Sequence, residues 1–279
     1  MKGLRAFLVT VPADEEDAAT AALWEEGTAG IEVRPAEAGE VALLAYFADA
    51  PRVPLAVAAA LAGLPGARCE PAEVPDVDWL ARFREGFRSF RASGFRIVPA
   101  WEARGTTARS HDVLVVDPGR AFGTGSHETT RLVLAWLRER AARGPLGRVL
   151  DLGTGSGILA LAAARLGAQP VVAVDVDPEA IASASRHARL NGVDIRIVQG
   201  DLARPLRPGA FDLVLANLSA SLLRQRRDEI TGLGAPALVL SGLLASNLAA
   251  VRAAYAGAGR IEVREDGEWV SLLVQVRAP

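Results

Sequence analysis

Apolar and polar positions change period several times along the chain, and each change marks an element. The clearest run is residues 146–177, LGRVLDLGTGSGILALAAARLGAQPVVAVDVD. Val149 and Leu150 open an apolar strand that breaks at Gly153, Gly155 and Gly157. A helix follows, with Ile158, Leu161, Ala162 and Leu166 at helical spacing, and a second strand, Val171 to Val174, ends in Asp175. Strand, glycine turn, helix, strand and terminal acid make the βαβ unit of a doubly wound, Rossmann-like α/β domain. The alternation continues downstream. Pro178–Asn191 reads as a helix, Asp194–Val198 as a strand running into Gly200-Asp201, and Phe211–Ala216 as a strand carrying Asn217 at its end. A helix, the strand Ala237–Ser241, the helix Ala245–Ala256 and strands Arg260–Arg264 and Trp269–Val276 complete it. Ligands bind at the carboxyl ends of such strands, which aims Asp151, Asp175, Asp201 and Asn217 at one crevice.

Upstream, residues 1–72 predict a small α+β domain in the ferredoxin-like order β-α-β-β-α-β. Its strands are Ala6–Val11, Ala29–Val33, Val41–Phe47 and Ala67–Glu70. Asp14 reads as the N-cap of a helix facing inward through Ala18, Ala21, Ala22 and Leu23, and a second helix begins near Arg52 with Pro54 in its first turn. Residues 73–93 read as a linker whose Trp79, Phe83, Phe87 and Phe90 form the stripe of an amphipathic helix, with Arg82, Arg84, Arg88 and Arg91 elsewhere on it. Two further strands, Phe95–Val98 and Asp112–Asp117, open the larger domain, residues 94–279. The loop DPGRAFGTGSHETT, 117–130, then leads into a helix that Ser126 is placed to cap.

Composition narrows the class. Half of the residues are hydrophobic, and 31 basic against 33 acidic residues give no overall sign of a nucleic-acid binder. Charge is uneven, however: residues 11–50 hold ten acids against the single base Arg34, a face suited to a basic partner. The linker arginines are a minor candidate for RNA contact. Cys69 is the only cysteine, and His111, His127 and His187 lack metal-ligand spacing, so neither a disulfide nor a metal is expected. With no signal peptide or membrane-length apolar run, the expectation is a cytoplasmic protein.

The turn carries the chemistry. A dinucleotide fingerprint needs a third glycine where Ile158 stands, and an acid beside the turn, Asp151, repels pyrophosphate but suits the ammonium of a methionine moiety. Asp175 suits ribose hydroxyls and Asp201 an adenine amino group. In the 117–130 loop, Phe122 reads as an apolar wall and Thr130 as a hydroxyl within reach of the ligand. The run resembles motif I of the S-adenosylmethionine-dependent methyltransferases.

LDLGTGSGILA, DVDP and ANL, preceded by AFGTGSHETT and ending in GEWVSL, together resemble the bacterial methyltransferases of large-subunit ribosomal protein eleven. That resemblance covers essentially the whole chain. It implies S-adenosylmethionine contacts at Thr130, Gly153, Asp175 and Asn217, which the turn glycine Gly155 joins as a cofactor-binding candidate, and transfer to lysine or N-terminal amines of the ribosomal protein, which residues 1–72 would recognise. Asn217 is similar to the asparagine of the Asn-Pro-Pro-Tyr motif of amino-group methyltransferases and is the expected catalytic residue. Here Leu218 and Ser219 replace the prolines and no aromatic follows, which suits an alkylamine better than a flat base. The alternative is an S-adenosylmethionine-dependent RNA base methyltransferase.

Overall fold

The computed structural model describes residues 4–37, 39–51, 53–73, 87–103, 110–117 and 125–277. Alternation in LRAFLVTVP turns Phe7, Val9 and Val11 to one face of β1 (Leu4–Pro12), and all three are buried. Helix α1 (Glu16–Glu25), strands β2 (Gly30–Pro35) and β3 (Glu40–Ala48), helix α2 (Val53–Leu61) and strand β4 (Arg68–Ala72) follow. The strands lie in the order β2-β3-β1-β4, each antiparallel to its neighbour, which is the ferredoxin-like arrangement. Phe7 and Phe47 meet edge to face at 6.0 Å, and Leu23, Leu43 and Val57 are fully buried in the same cluster. Each large apolar side chain buried this way contributes about 1.5–3 kcal/mol, so this small unit has a core of its own.

Details of that unit differ from the sequence reading. Asp14 does not cap α1. Ala13 N–H donates to Gly39 O at 3.0 Å, residues Ala13–Glu15 form a 3-10 turn, and the helix begins one residue later without a side-chain cap. Among its described side chains the buried positions are Ala19 and Leu23, four apart, while Ala18 is exposed and the Ala21 side chain lies outside the described residues. Several of the unit's acids are also engaged internally: Glu32 with Arg34 (3.2 Å), Glu40 with Arg68 (2.6 Å), and Asp49 with Arg5. Asp14, Glu26 and Glu37 are exposed.

Contacts divide the chain at Arg82 and Phe83, and the second unit runs from there to Pro279. Its seven-stranded sheet has the order β10-β9-β8-β11-β12-β14-β13. Strands β8 (Val149–Leu152), β9 (Val171–Asp175), β10 (Arg196–Gln199), β11 (Leu213–Asn217) and β12 (Ala237–Leu244) are parallel. The hairpin β13 (Gly259–Asp266) and β14 (Trp269–Val276) closes the sheet, β14 lying antiparallel to β12. The apolar runs bury both faces, as a covered parallel sheet requires. Val149, Ala173, Leu213 and Leu215 pack with helices α3 (Glu128–Arg143) and α4 (Ile158–Arg165). The alternate residues Leu150, Val174, Val214 and Ala216 pack with Leu223, Ile230, Val251 and Tyr255 on the other side. These come from helices α6 (Ala220–Gln225), α7 (Arg227–Gly232) and α8 (Leu248–Tyr255), while α5 (Pro178–Asn191) links β9 to β10.

A separate three-stranded sheet, β5 (Phe90–Ala92), β6 (Phe95–Pro99) and β7 (Val113–Val116), corrects the linker reading. Phe90 lies in a strand and not in a helix. Ser93 and Gly94 both have positive φ, 47° and 81°, which makes the two-residue turn of a β5-β6 hairpin and overrides the helical spacing of the aromatics. Phe87 and Phe90 meet edge to face at 5.8 Å, and Arg88 and Arg91 are exposed. Trp79, Arg82, Phe83 and Arg84 lie outside the described residues. Helix α3 is capped by His127, whose ring accepts from Thr129 N–H, and not by Ser126. Among the described residues no helix is long and apolar enough to cross a membrane, and no group of His, Cys, Asp and Glu is arranged to hold a metal ion.

Candidate active site

The turn after β8 is laced to β9 from two sides. Gly153 and Thr154 N–H both donate to Val174 O (2.9 and 3.0 Å), and Gly155 N–H donates to Asp175 Oδ2 (2.8 Å). The second Asp175 oxygen accepts from Asp177 N–H at 3.0 Å, so this carboxylate holds both the glycine turn and the start of α5. Gly153 has φ 67°, and a β-carbon there would collide with Leu218 Cδ2. Leu218 is met from the other side by Gly242, φ 86°, where a β-carbon would run into the Leu218 carbonyl. Gly242 lies where the register of β12 against β14 shifts, a bulge between Leu240 and Leu243. One glycine from the turn after β8 and one from β12 therefore enclose the residue after Asn217.

Asp151 stands behind the turn. It is wholly buried; one oxygen accepts from Thr154 Oγ1 (2.6 Å) and from Ala160 N–H (3.2 Å) in the first turn of α4. Gly157 heads that helix and has no side chain to cap it, so Asp151 does so from a distance. Its other oxygen has no hydrogen-bond partner among the described residues. Burial pushes its carboxyl up to about 6 against the pull of the Thr154 and Ala160 bonds, with the Asp175 charge adding to the rise.

A cavity of about 430 Å³ opens in front of the turn, lined by Gly153, Gly155, Asp175, Asp201, Leu202 and Leu218 among others. The four polar residues expected in one crevice separate here. Asp175 and Asp201 line the cavity, Asn217 adjoins it through its neighbour Leu218, and Asp151 is walled off by the turn. Asp201 is also committed elsewhere, its two oxygens held at 2.9 Å by Arg226 Nη1 and Arg204 Nη1, which keeps its carboxyl below the usual range. Thr130 is buried on α3 and its hydroxyl has no partner among the described residues. Phe122 lies outside the described residues.

Sequence reasoning passed over the groups that hold these residues in place. Asn217 Nδ2 donates to Thr129 Oγ1 (3.3 Å), Thr129 Oγ1 lies 2.9 Å from His127 Nδ1, and Ser241 Oγ donates to Thr129 O (3.0 Å). The His127 ring meets Trp269 edge to face at 4.7 Å. On the opposite flank His187 is buried on α5. Its Nδ1–H donates to Ser156 O (2.7 Å) in the glycine turn, and its Nε2 accepts from Asp117 N–H (2.8 Å) at the head of the 117–130 loop. Asn191, one turn on, pairs with both backbone groups of Val115 in β7 (2.9 and 2.7 Å). Burial lowers the His187 pKa, favouring the neutral ring that this geometry needs.

Residues 7–277 match the profile of the ribosomal protein L11 methyltransferases. The chain belongs to that family. The ribosomal protein L11 methyltransferase of Thermus thermophilus is 43% identical over 205 residues, 72% of this chain and 78% of the relative. That of Myxococcus xanthus is 34% identical over 281 residues, 96% of each chain. The crystal structure of the ribosomal protein L11 methylase from Lactobacillus delbrueckii subsp. bulgaricus matches with a TM-score of 0.62 at 32% identity, covering 69% of this chain and all of the other. As a member of this family the chain is a methyltransferase, and the family match spans both units.

Proposed function

We propose that the chain transfers methyl groups from S-adenosylmethionine to lysine or N-terminal amines of ribosomal protein L11 in the cytoplasm. The observation that carries this is the cavity between the glycine turn and Leu218, with an acid at the end of β9 and an asparagine at the end of β11. Its volume falls within the roughly 300–1,000 Å³ of small-molecule sites. Asp175 would accept from ribose hydroxyls and the backbone of Gly153 and Gly155 would approach the amino-acid part, while Leu202, Leu218 and Leu222 supply apolar walls. The unpartnered Thr130 hydroxyl is a further contact. Asp151 would act on the ligand's ammonium through its charge, from behind the turn.

S-adenosylmethionine, when bound, supplies a methyl group on a sulfonium, an electrophile that a neutral amine attacks. The protein's part is to bring the amine in line and keep it unprotonated. Asn217 suits the first task. Thr129 fixes its amide nitrogen, which leaves the amide oxygen to accept from the amine and aim its lone pair. Leu218, Ser219 and Ala220 follow it, none an aromatic on which an RNA base would stack. The exposed acids of residues 1–72 suit a basic ribosomal protein, and we assign substrate recognition to them.

The test is a mass spectrum of unmethylated L11 incubated with the enzyme and S-adenosylmethionine, intact and as peptides. Additions of 14 Da on lysine or N-terminal peptides are expected, ~14 Da being one methyl for hydrogen. Methyl transfer to ribosomal RNA with none to L11 would overturn the assignment.

A further inference from the structure

Thr129 lies in the first turn of α3 and is buried, so its hydroxyl is paired within the protein. Three groups meet there. His127 Nδ1 accepts from Thr129 N–H at 3.3 Å and lies 2.9 Å from Thr129 Oγ1. Asn217 Nδ2 donates to the same Oγ1 at 3.3 Å. A backbone N–H can only donate, so the lone pair of the neutral His127 ring is on Nδ1 and its proton on Nε2. Facing that lone pair, the Thr129 hydroxyl donates to it, and Oγ1 is left with acceptor capacity alone. The two ends of a carboxamide have the same shape, and only hydrogen bonding tells them apart. Asn217 therefore turns its NH2 end to Thr129. No group among the described residues engages its oxygen. The frame around these groups is fixed as well. Trp269 meets the His127 ring at 4.7 Å, and Thr129 O accepts from the fully buried Ser241, the residue paired with Asn217 across β11 and β12. Glu128 Oε2 lies 3.9 Å from Nδ1, beyond hydrogen-bond reach, and its Oε1 is held by Arg131 at 3.0 Å.

We propose that His127 and Thr129 are positioning residues that set the sense of the Asn217 carboxamide. With the ring proton on Nδ1 instead, the Thr129 hydroxyl could donate to Asn217 Oδ1, and the amide would turn over. It would then present N–H groups to the incoming amine and occupy the lone pair that attacks the methyl group. The tautomer of His127, passed on through one hydroxyl, keeps the acceptor end forward. These two residues thus act on turnover and not on the binding of either substrate. The inference rests on the reading of Asn217 as the residue that orients the amine.

Kinetics on the full chain with L11 test it, alongside S-adenosylhomocysteine affinity by calorimetry. Thr129→Val keeps the shape and removes the hydroxyl. It should lower kcat about tenfold and leave KM for L11 and the ligand affinity within about twofold, and Thr129→Ser should recover most of the loss. In the Asn217→Ala background Thr129→Val should cost nothing more, because the group it positions is gone. Losses that multiply in the double variant, or an equal fall of kcat and affinity in Thr129→Val, would overturn the proposal; so would an unchanged kcat. Should Thr129→Val fail to fold, His127→Ala and His127→Asn supply the comparison. The first should lose about tenfold in kcat, and the second, whose amide oxygen can stand in for Nδ1 as acceptor and cap, should recover most of it. Ring-nitrogen NMR at mildly alkaline pH reads the tautomer directly, since only three histidines are present and His127→Asn identifies the signal. A proton on Nδ1 would overturn the proposal. Full turnover in Asn217→Ala would instead remove the role of Asn217, and this inference with it.

Discussion

Asp151 carries an acid where the fold least tolerates one. Its pKa is raised by burial, so its contribution to stability is greatest while it is protonated, well below pH 4. That contribution is lost as pH rises through about 6. At neutral pH its ionisation costs the fold on the order of 2–3 kcal/mol. Asp151→Asn keeps an acceptor for Thr154 and Ala160 and removes that cost. The variant is expected to melt several degrees higher than the parent at pH 8, with the gap closing toward pH 5. It should also bind S-adenosylhomocysteine several-fold more weakly, a trade of function for stability. Calorimetric melts at the two pH values and one titration check both. Asn217→Ala makes the opposite case: turnover should fall about a hundredfold while S-adenosylhomocysteine affinity changes only a few-fold. Equal losses would reduce Asn217 to a ligand contact.

At the scale of elements, His187 ties α5 to the glycine turn and to the end of β7. A protonated ring cannot accept from Asp117 N–H, and the charged groups facing it are Asp117 and Arg186. Because its pKa is lowered in the fold, its contribution is full above about pH 6.5 and lost as pH falls. His187→Gln, neutral throughout, should flatten this acid-side loss. The comparison belongs in the Asp151→Asn background, where the opposing titration is gone, and thermal melts from pH 7 to pH 5 read it. Nothing in the sequence announces this role, since a histidine on an apolar helix face reads as core. The elements themselves were legible. Val171–Val174, Pro178–Asn191 and Trp269–Val276 follow from periodicity and from Asp177-Pro178 and Asn191-Gly192 at the ends of a helix. The misreadings arose where a local device overrode the period: the Ser93-Gly94 turn against the aromatic stripe, and the His127 cap in place of Ser126. The site was half legible. Gly153, Asp175 and Asn217 stand at strand ends that spacing alone predicts, but which carboxylate faces the cavity depends on Thr154, Arg204 and Arg226, which meet them only in three dimensions.

For the whole molecule, each unit has its own apolar core, and every lining residue of the cavity belongs to the second. Changes on the first unit should therefore alter substrate capture and spare ligand binding. Replacing the exposed Asp14, Glu26 and Glu37 together by lysine is expected to raise KM for L11 about tenfold at low salt, with kcat and S-adenosylhomocysteine affinity nearly unchanged. The defect should shrink as salt rises, because screening weakens attraction and repulsion alike. Steady-state kinetics at two ionic strengths would show it, and a KM indifferent to the substitutions would remove the first unit from recognition.

Leu218, enclosed by Gly153 and Gly242, sets different rules of variation for the two positions. At 153 the obstacle is the tip of a side chain, so trimming Leu218 to alanine should recover part of what Gly153→Ala loses, leaving only the strain of φ 67°. At 242 the obstacle is the main chain of Leu218, which no side-chain change moves. A library that varies all three positions should return alanine at 153 only together with a smaller residue at 218, and glycine alone at 242.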